Sequence, residues 1–292
     1  MDLHLLRTFE TVARLRSFSA AARELGYTQS AVSQQIATLE TDVRTRLLDR
    51  RPVAPTPAGG RLLEHAGPLL LRAAAARADL ARLVTAPGAR LTVGAAPLAQ
   101  PPVLAGALAA VHRTHPGVAL TLRVLPAAEI PALVATGELD AGVVEAATAP
   151  TDPLPLPDLA PLASRVVLES PLVVALPTDH PLARHEWLRL ADLADARWLD
   201  APTAAVPLGR LRAVLGSDGF PPAARYAGGD PAGLLRLVAA GHGLAALPAP
   251  LVAGVPGTVA VPVTVPRLVH RVELLHAADP APSAAALATF FE

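Results

Sequence analysis

Between residues 62 and 83 the apolar residues Leu62, Ala66, Leu69, Ala73, Ala76, Leu80 and Leu83 recur at intervals of 4, 3, 4, 3, 4 and 3. Such a run keeps one apolar stripe on one side of a helix and calls for a second helix to cover it, the pattern of a coiled-coil seam. Breakers bound it, RPVAPTP before and TAPG after, so the helix cannot extend far in either direction. A helix over residues 58–86 spans roughly 40 Å at ~1.5 Å per residue, long enough to hold two copies of a preceding module apart. The competing reading is a surface helix packed on its own domain.

The preceding module is short and helical. Leu6, Phe9, Val12 and Ala13 have helical spacing. Ser19 is then placed to accept from the free N–H groups of a second helix running to Leu25, and Gly26 to end it. Thr28 can cap a third helix, whose Val32, Ile36, Leu39 and Val43 share one stripe while Ser30, Ser33, Gln34, Ala37 and Thr41 face the other way. Two helices joined by a short Gly-containing turn, the second with a small polar outer face, make a helix-turn-helix candidate. RLLDRRPVAPTPAGG then supplies three Arg and three Pro, which suits a short wing hairpin leading into a helix at about Pro57.

After the second breaker the pattern becomes an α/β alternation. LTVGA, a helix to His115, VALTLRVL, a helix to Thr136 and DAGVV form one unit. A second starts near VVLESPLVVALP and contains ARWLDA, ARYAGGD and GLAALP, before RVELLHA returns as a strand and a last helix ends in Phe290 and Phe291. Two similar lobes with a cleft between them follow. The Pro-rich run TAPTDPLPLPDLAP is short enough to be a surface loop between strands.

Charge divides the chain in the same way: residues 1–86 carry 12 Arg against 8 acids, and residues 87–292 carry 13 Arg against 17 acids. A mildly basic N-terminal part suits a polyanion such as DNA. With no cysteine among 292 residues, disulfide frameworks, thiolate metal sites and thiol redox sensing are excluded. No charge-free apolar run long enough for a membrane span and no export signal is evident, which places the chain in the cytoplasm.

FETVARLRSFSAAARELGYTQSAVSQQIATLE, within residues 2–65, resembles the signature of LysR-type transcriptional regulators, and GELDAGVV, SPLVVALPTDHPLA and LVAAGHGLAALP resemble the effector domain of that family more loosely. The resemblance implies an α/β protein overall, with a winged helix-turn-helix over residues 1–57, a dimerisation helix over 58–86 and an effector-binding domain over 87–292. That domain would resemble type 2 periplasmic binding proteins, with lobes of about 90–162 plus 267–292 and 163–266, the chain crossing near Leu162 and Pro266. The implied function is sequence-specific transcription regulation, modulated by a small molecule between the lobes. The partners would be double-stranded DNA and a second or further copies of the chain, with RNA polymerase as a candidate contact, and no cofactor.

A recognition helix needs short donors and acceptors at its front, which Thr28, Gln29, Ser30, Ser33 and Gln34 supply; Gln can bond adenine bidentately and Ser several base edges or a phosphate. Arg50 and Arg51 in the wing would meet phosphates or a minor groove. The chain departs from the family pattern in having Arg44 where Gly is usual, Leu48 where Phe is usual, and a short wing. Either Arg44 adopts a left-handed conformation, at about 1–2 kcal/mol, or the turn is rebuilt.

For the effector, Ala96, Pro97, Leu98, Gln100, Thr203 and Asp230 are the expected cleft residues. Carboxylate sensors of the family place a hydroxyl at the helix start after the first strand, where this chain reads GAAPLAQ, which points to a neutral or apolar ligand. Two other function classes compete with this reading. One is an enzyme, which lacks GxSxG, Walker and GxGxxG motifs here; His112 and His115 read as helix-end residues, His242 as a loop residue and His180 as structural, so no metal site is expected. The other is a DNA-binding protein whose C-terminal domain only oligomerises or meets a protein partner. A molybdate-type regulator, with a smaller and different sensor domain, is a related alternative.

Overall fold

The computed structural model describes residues 1–84, 90–159 and 161–291, which fall into two compact units, Met1–Ala81 and Arg82–Glu292. The breaker at residues 85–89 lies outside the described residues, as does the side chain of Leu83.

The first unit is built from α1 (Leu3–Leu15), α2 (Phe18–Leu25), α3 (Gln29–Asp42), a hairpin of β1 (Leu48–Arg50) and β2 (Val53–Pro55), and α4 (Pro57–Val84). Asp2 and Thr28 cap α1 and α3 by accepting from the amides of His4 and Ala31. The cap of α2 is Ser17, whose hydroxyl accepts from Ala20 N, rather than the expected Ser19. Ser17 is the residue with extended backbone (φ −156°, ψ 121°) that a cap requires, and Ser19 already lies inside the helix. Leu6, Phe9, Val12, Val32, Ile36 and Leu39 are each fully buried in one core with Leu47, Leu48 and Ala66.

The stripe on α4 divides. Leu62, Ala66 and Leu70 pack on the core of their own unit, whereas Leu69, Ala76 and Leu80 are exposed, Leu80 at 65%. Pro68 sits inside the helix and lacks the N–H that would bond Glu64. Gly59 faces the wing so closely that a Cβ there would lie 2.0 Å from the Leu47 carbonyl oxygen. Only glycine permits that approach.

The second unit follows the α/β alternation: β3 (Arg90–Ala95), α5 (Pro102–Thr114), β4 (Ala119–Val124), α6 (Ile130–Ala135), β5 (Ala141–Thr148), β6 (Leu162–Pro177), β7 (Leu188–Arg189), β8 (Trp198–Asp200), α7 (Leu208–Leu215), β9 (Pro222–Arg225), α8 (Pro231–Ala239), β10 (Ala245–Pro248), α9 (Ala249–Val252), β11 (Thr258–Val265), β12 (Val269–Ala277) and α10 (Pro282–Thr289). One sheet runs β4-β3-β5-β12-β6-β11-β7 with β10 also on β6, while β8 and β9 pair separately.

Strand β6 joins the lobes. It pairs β12 from Leu162 to Pro171, then β10 and β11 from Leu172 to Pro177. The crossing therefore lies at residues 171–172 inside one continuous strand, later than the expected Leu162; the return crossing lies between Val265 and Val269. A strand can serve two lobes because its ladder groups bond whichever strand lies beside them. Lobe one has its core around Leu91, Val93, Leu104, Val143, Leu274 and Leu287. Lobe two has cores on both faces of its sheet, one around Trp198, Leu211 and Phe220, the other around Val173, Leu199, Leu234 and Leu247. The Pro-rich segment after β5 is a loop; the Arg271 guanidinium holds it by donating to the carbonyls of Pro150 and Asp152, both at 2.6 Å, while pairing with Glu169.

Candidate DNA interface and effector cleft

Helix α3 has a buried back and a polar front. Val32, Ile36 and Leu39 anchor it, while Thr28, Gln29, Ser30 and Gln34 are exposed and Ser33 is half-buried beside them. The front is therefore a row of short donor and acceptor side chains on a rigid element. Its angle to α1 is set by a residue the sequence reading passed over. Gln35 accepts from the Thr8 hydroxyl at 2.8 Å and meets His4 Nε2 at 3.1 Å. Its signal was its place on the flank between the apolar stripe and the polar front.

Glu40 is a second missed residue. Its Oε1 accepts from the amides of Leu47 (2.8 Å) and Leu48 (3.2 Å), tying the start of the wing to α3. Arg50 lies 3.9 Å from the same carboxylate and 4.9 Å above the Phe18 ring, so part of its charge is turned toward the protein. Arg51 is exposed in the turn between β1 and β2. Arg44 does take the left-handed conformation, φ 55°. Arg44 N donates to the Thr41 carbonyl and Thr45 N to the Glu40 carbonyl, the two-bond arrangement that closes a helix on a left-handed residue.

In the second unit the six expected effector residues separate by role. Ala96 is fully buried in the lobe-one core, and Gln100 is exposed, its amide 3.4 Å from the Pro97 carbonyl. Thr203 donates to the Gly228 carbonyl at 3.1 Å. Asp230 caps α8, its two oxygens accepting from Ala232 N and Gly233 N at 3.0 Å each. Across the cleft, a Cβ on Gly229 would lie 3.6 Å from Pro97 Cγ, so residues 97–98 do face the segment that carries Thr203 and Asp230. Tyr226, absent from the sequence reading, lines that wall; its hydroxyl donates to the Asp230 carbonyl at 3.1 Å and crowds Gly228 and Gly233.

Helix α5, which starts beside the cleft, has Pro101 at its cap and Pro102 as its first residue, with no side chain capping it. Two backbone donors that a helix start would offer an anion are thereby missing. The histidines hold structural places: His180 Nδ1 accepts from Leu182 N at the start of a 3₁₀ turn, and His115 closes α5. Among the described residues no cluster of three or more His, Cys, Asp or Glu is placed to hold a metal ion, and no helix is long and apolar enough to cross a membrane.

Residues 85–292 match the description of the LysR substrate binding domain, and residues 3–60 that of the bacterial regulatory helix-turn-helix protein, lysR family. The chain belongs to the LysR family. This LysR-type protein carries both family domains, the helix-turn-helix and the substrate binding domain, in one chain. It is 50% identical over 68 residues to a putative transcriptional regulator of Pseudomonas aeruginosa, covering 23% of this chain and 22% of that one. It is equally identical over 72 residues to the regulator AbaB of Streptomyces antibioticus, 24% of each. The match thus spans about a quarter of those relatives' length.

Solved structures extend the likeness to the whole fold. A full-length OxyR variant from Pseudomonas aeruginosa superposes with a TM-score of 0.54 at 23% identity, covering 100% of both chains. Full-length BenM gives 0.55 at 23% identity, covering 100% of this chain and 95% of its own. CbnR, solved with its target DNA, gives 0.52 at 20% identity over 100% and 99%.

Proposed function

We propose that this LysR-type regulator works as a homodimer or homotetramer in the cytoplasm, reads the major groove with the front of α3, meets phosphates with Arg51, and responds to an uncharged or largely apolar effector bound between its lobes. Dimerisation is assigned to the exposed half of the α4 stripe, Leu69, Ala76 and Leu80, beside a groove of about 520 Å³ between α1 and α4 whose lining mixes Leu3, Leu70, Leu71 and Ala74 with His4, Arg7, Glu10 and Arg77. An exposed apolar stripe gains most from a second copy.

The observation that carries the effector class is the start of α5. An anion moved from water into a cleft must find donors or a counter-charge to offset its desolvation. Here the helix opens on two prolines, Thr203 donates within its own lobe, and Asp230 is a carboxylate. Thermal-shift screening of matched pairs, each acid against its amide or ester, tests the reading: the neutral member is expected to stabilise the full chain more at equal concentration. Consistent success of the acids, abolished by Thr203→Val, would place an anion site in lobe two and overturn it.

A further inference from the structure

We propose that Leu98 is a built-in occupant of the cleft and the residue that sets its specificity: the effector is a small uncharged molecule whose apolar part takes the place Leu98 now fills. The proposal rests on reading the cleft as the effector site, and goes beyond it in naming what the ligand must displace.

The connection from β3 to α5 is held at both ends of a tight turn. Ala96 N donates to the Val143 carbonyl at 2.9 Å, Ala99 N donates back to the Ala96 carbonyl at 2.9 Å, and both alanines are fully buried in lobe one. The two central residues of that turn are Pro97 and Leu98, proline occupying the position where its fixed φ suits it. Pro97 meets Gly229 of the opposite wall. Leu98 goes further: only 5% exposed, it is buried in a cluster whose other members, among them Val173, Leu199, Ala204, Leu234 and Leu235, all belong to lobe two. A lobe-one turn therefore inserts one aliphatic side chain into the core of lobe two.

The surrounding chemistry restricts what can replace it. Pro97, Pro101 and Pro102 carry no N–H, and the amides of Ala96, Ala99 and Leu104 are already donating to carbonyls. The hydroxyls of Thr203 and Tyr226 donate to the carbonyls of Gly228 and Asp230, and the Asp230 carboxylate is held by two amides of α8. The place that Leu98 itself fills is lined by apolar side chains of lobe two, which suits the apolar part of a ligand. A dry apolar site of this kind accepts small hydrocarbons.

Toluene and benzoate serve as probes on the full-length protein, with binding read by equilibrium dialysis and thermal shift. Leu98→Ala is expected to bind toluene at least tenfold more tightly than the wild type, Leu98→Val to an intermediate degree, and neither to gain affinity for benzoate. Leu98→Val keeps the test open should the alanine variant fail to fold. Toluene is also expected to change the affinity of Leu98→Ala at least threefold for DNA fragments recovered with the wild-type protein. Leu211→Ala, which opens space in the other lobe-two core, is expected to show no such response. Equal toluene binding by wild type and variants overturns the proposal and leaves the neutral-effector reading standing. Toluene that fills Leu98→Ala without altering DNA affinity overturns it too. Benzoate binding by the wild type, with toluene bound by neither variant, overturns both.

Discussion

At the residue scale, backbone conformation accounts for several side chains that look unremarkable in the sequence. Arg44 holds φ 55° at the end of α3, where a Cβ crowds the backbone and glycine is the usual solution. Relief of that crowding, worth about 1–2 kcal/mol, is partly offset by the larger unfolded-state entropy of glycine. Arg44→Gly is therefore expected to stabilise the first unit by about 1 kcal/mol, seen as a higher melting temperature; a lower one would show that the arginine side chain contributes a contact that outweighs its strain. Phe220 presents the same conflict inside lobe two, at φ 64° with its ring fully buried edge-on to Trp198. Burial of the ring offsets the conformational cost there.

At the element scale, DNA recognition in the proposed function is divided between α3 and the wing. Gln34 is exposed on the front of a helix anchored by three buried aliphatics, and Arg51 stands in a two-residue turn. Base contact and phosphate contact leave different marks on affinity. In binding measured against single-base substitutions of an interrupted palindrome, Gln34→Ala should flatten the profile at one or two positions, by about 1–3 kcal/mol per lost base contact. Arg51→Ala should lower all affinities alike and reduce the salt dependence. An unchanged profile for Gln34→Ala would displace the recognition helix from the groove. On α4, Leu80 is exposed in the single chain, so Leu80→Glu is expected to leave the fold of its own unit intact and to act on the proposed contact with a second copy. A charge buried without a partner in a helix pair is strongly destabilising. Sedimentation at micromolar concentration should find the variant mainly monomeric; a retained dimer would assign the contact elsewhere.

At the scale of the whole molecule, the effector-binding unit depends on how its lobes are joined. The two chain crossings in the sheet are reinforced by Arg210 of α7, whose Nε donates to the Ala147 carbonyl at the end of β5 with an N···O distance of 2.8 Å. Beside it, the buried His270 bonds Glu145 at 3.0 Å. Arg210→Ala is expected to lower the urea midpoint by an amount equivalent to about 1–2 kcal/mol, since a charged donor to a half-buried carbonyl is lost. An unchanged midpoint would mean that the crossings alone hold the lobes together.

The sequence by itself determined the identity of the elements: the apolar stripe and polar front of α3, the capping of that helix by Thr28, the glycine end of α2, and the α/β alternation after residue 90 are all local patterns with local causes. It also determined that α4 is long and striped, but not which part of the stripe its own unit would cover. That depends on where α1 and the wing lie against it, and the close approach at Gly59 belongs to the fold. The same limit explains the effector residues. Thr203 and Asp230 look like free polar groups in a linear sequence, and only the tertiary structure engages them with Gly228 and the start of α8. Leu98 reads as one more leucine until the turn at residues 96–99 carries it into the other lobe. Periodicity and caps are set by neighbours within a few residues, whereas hydrogen-bond partners and burial are set by segments tens of residues away, whose arrival no local pattern encodes.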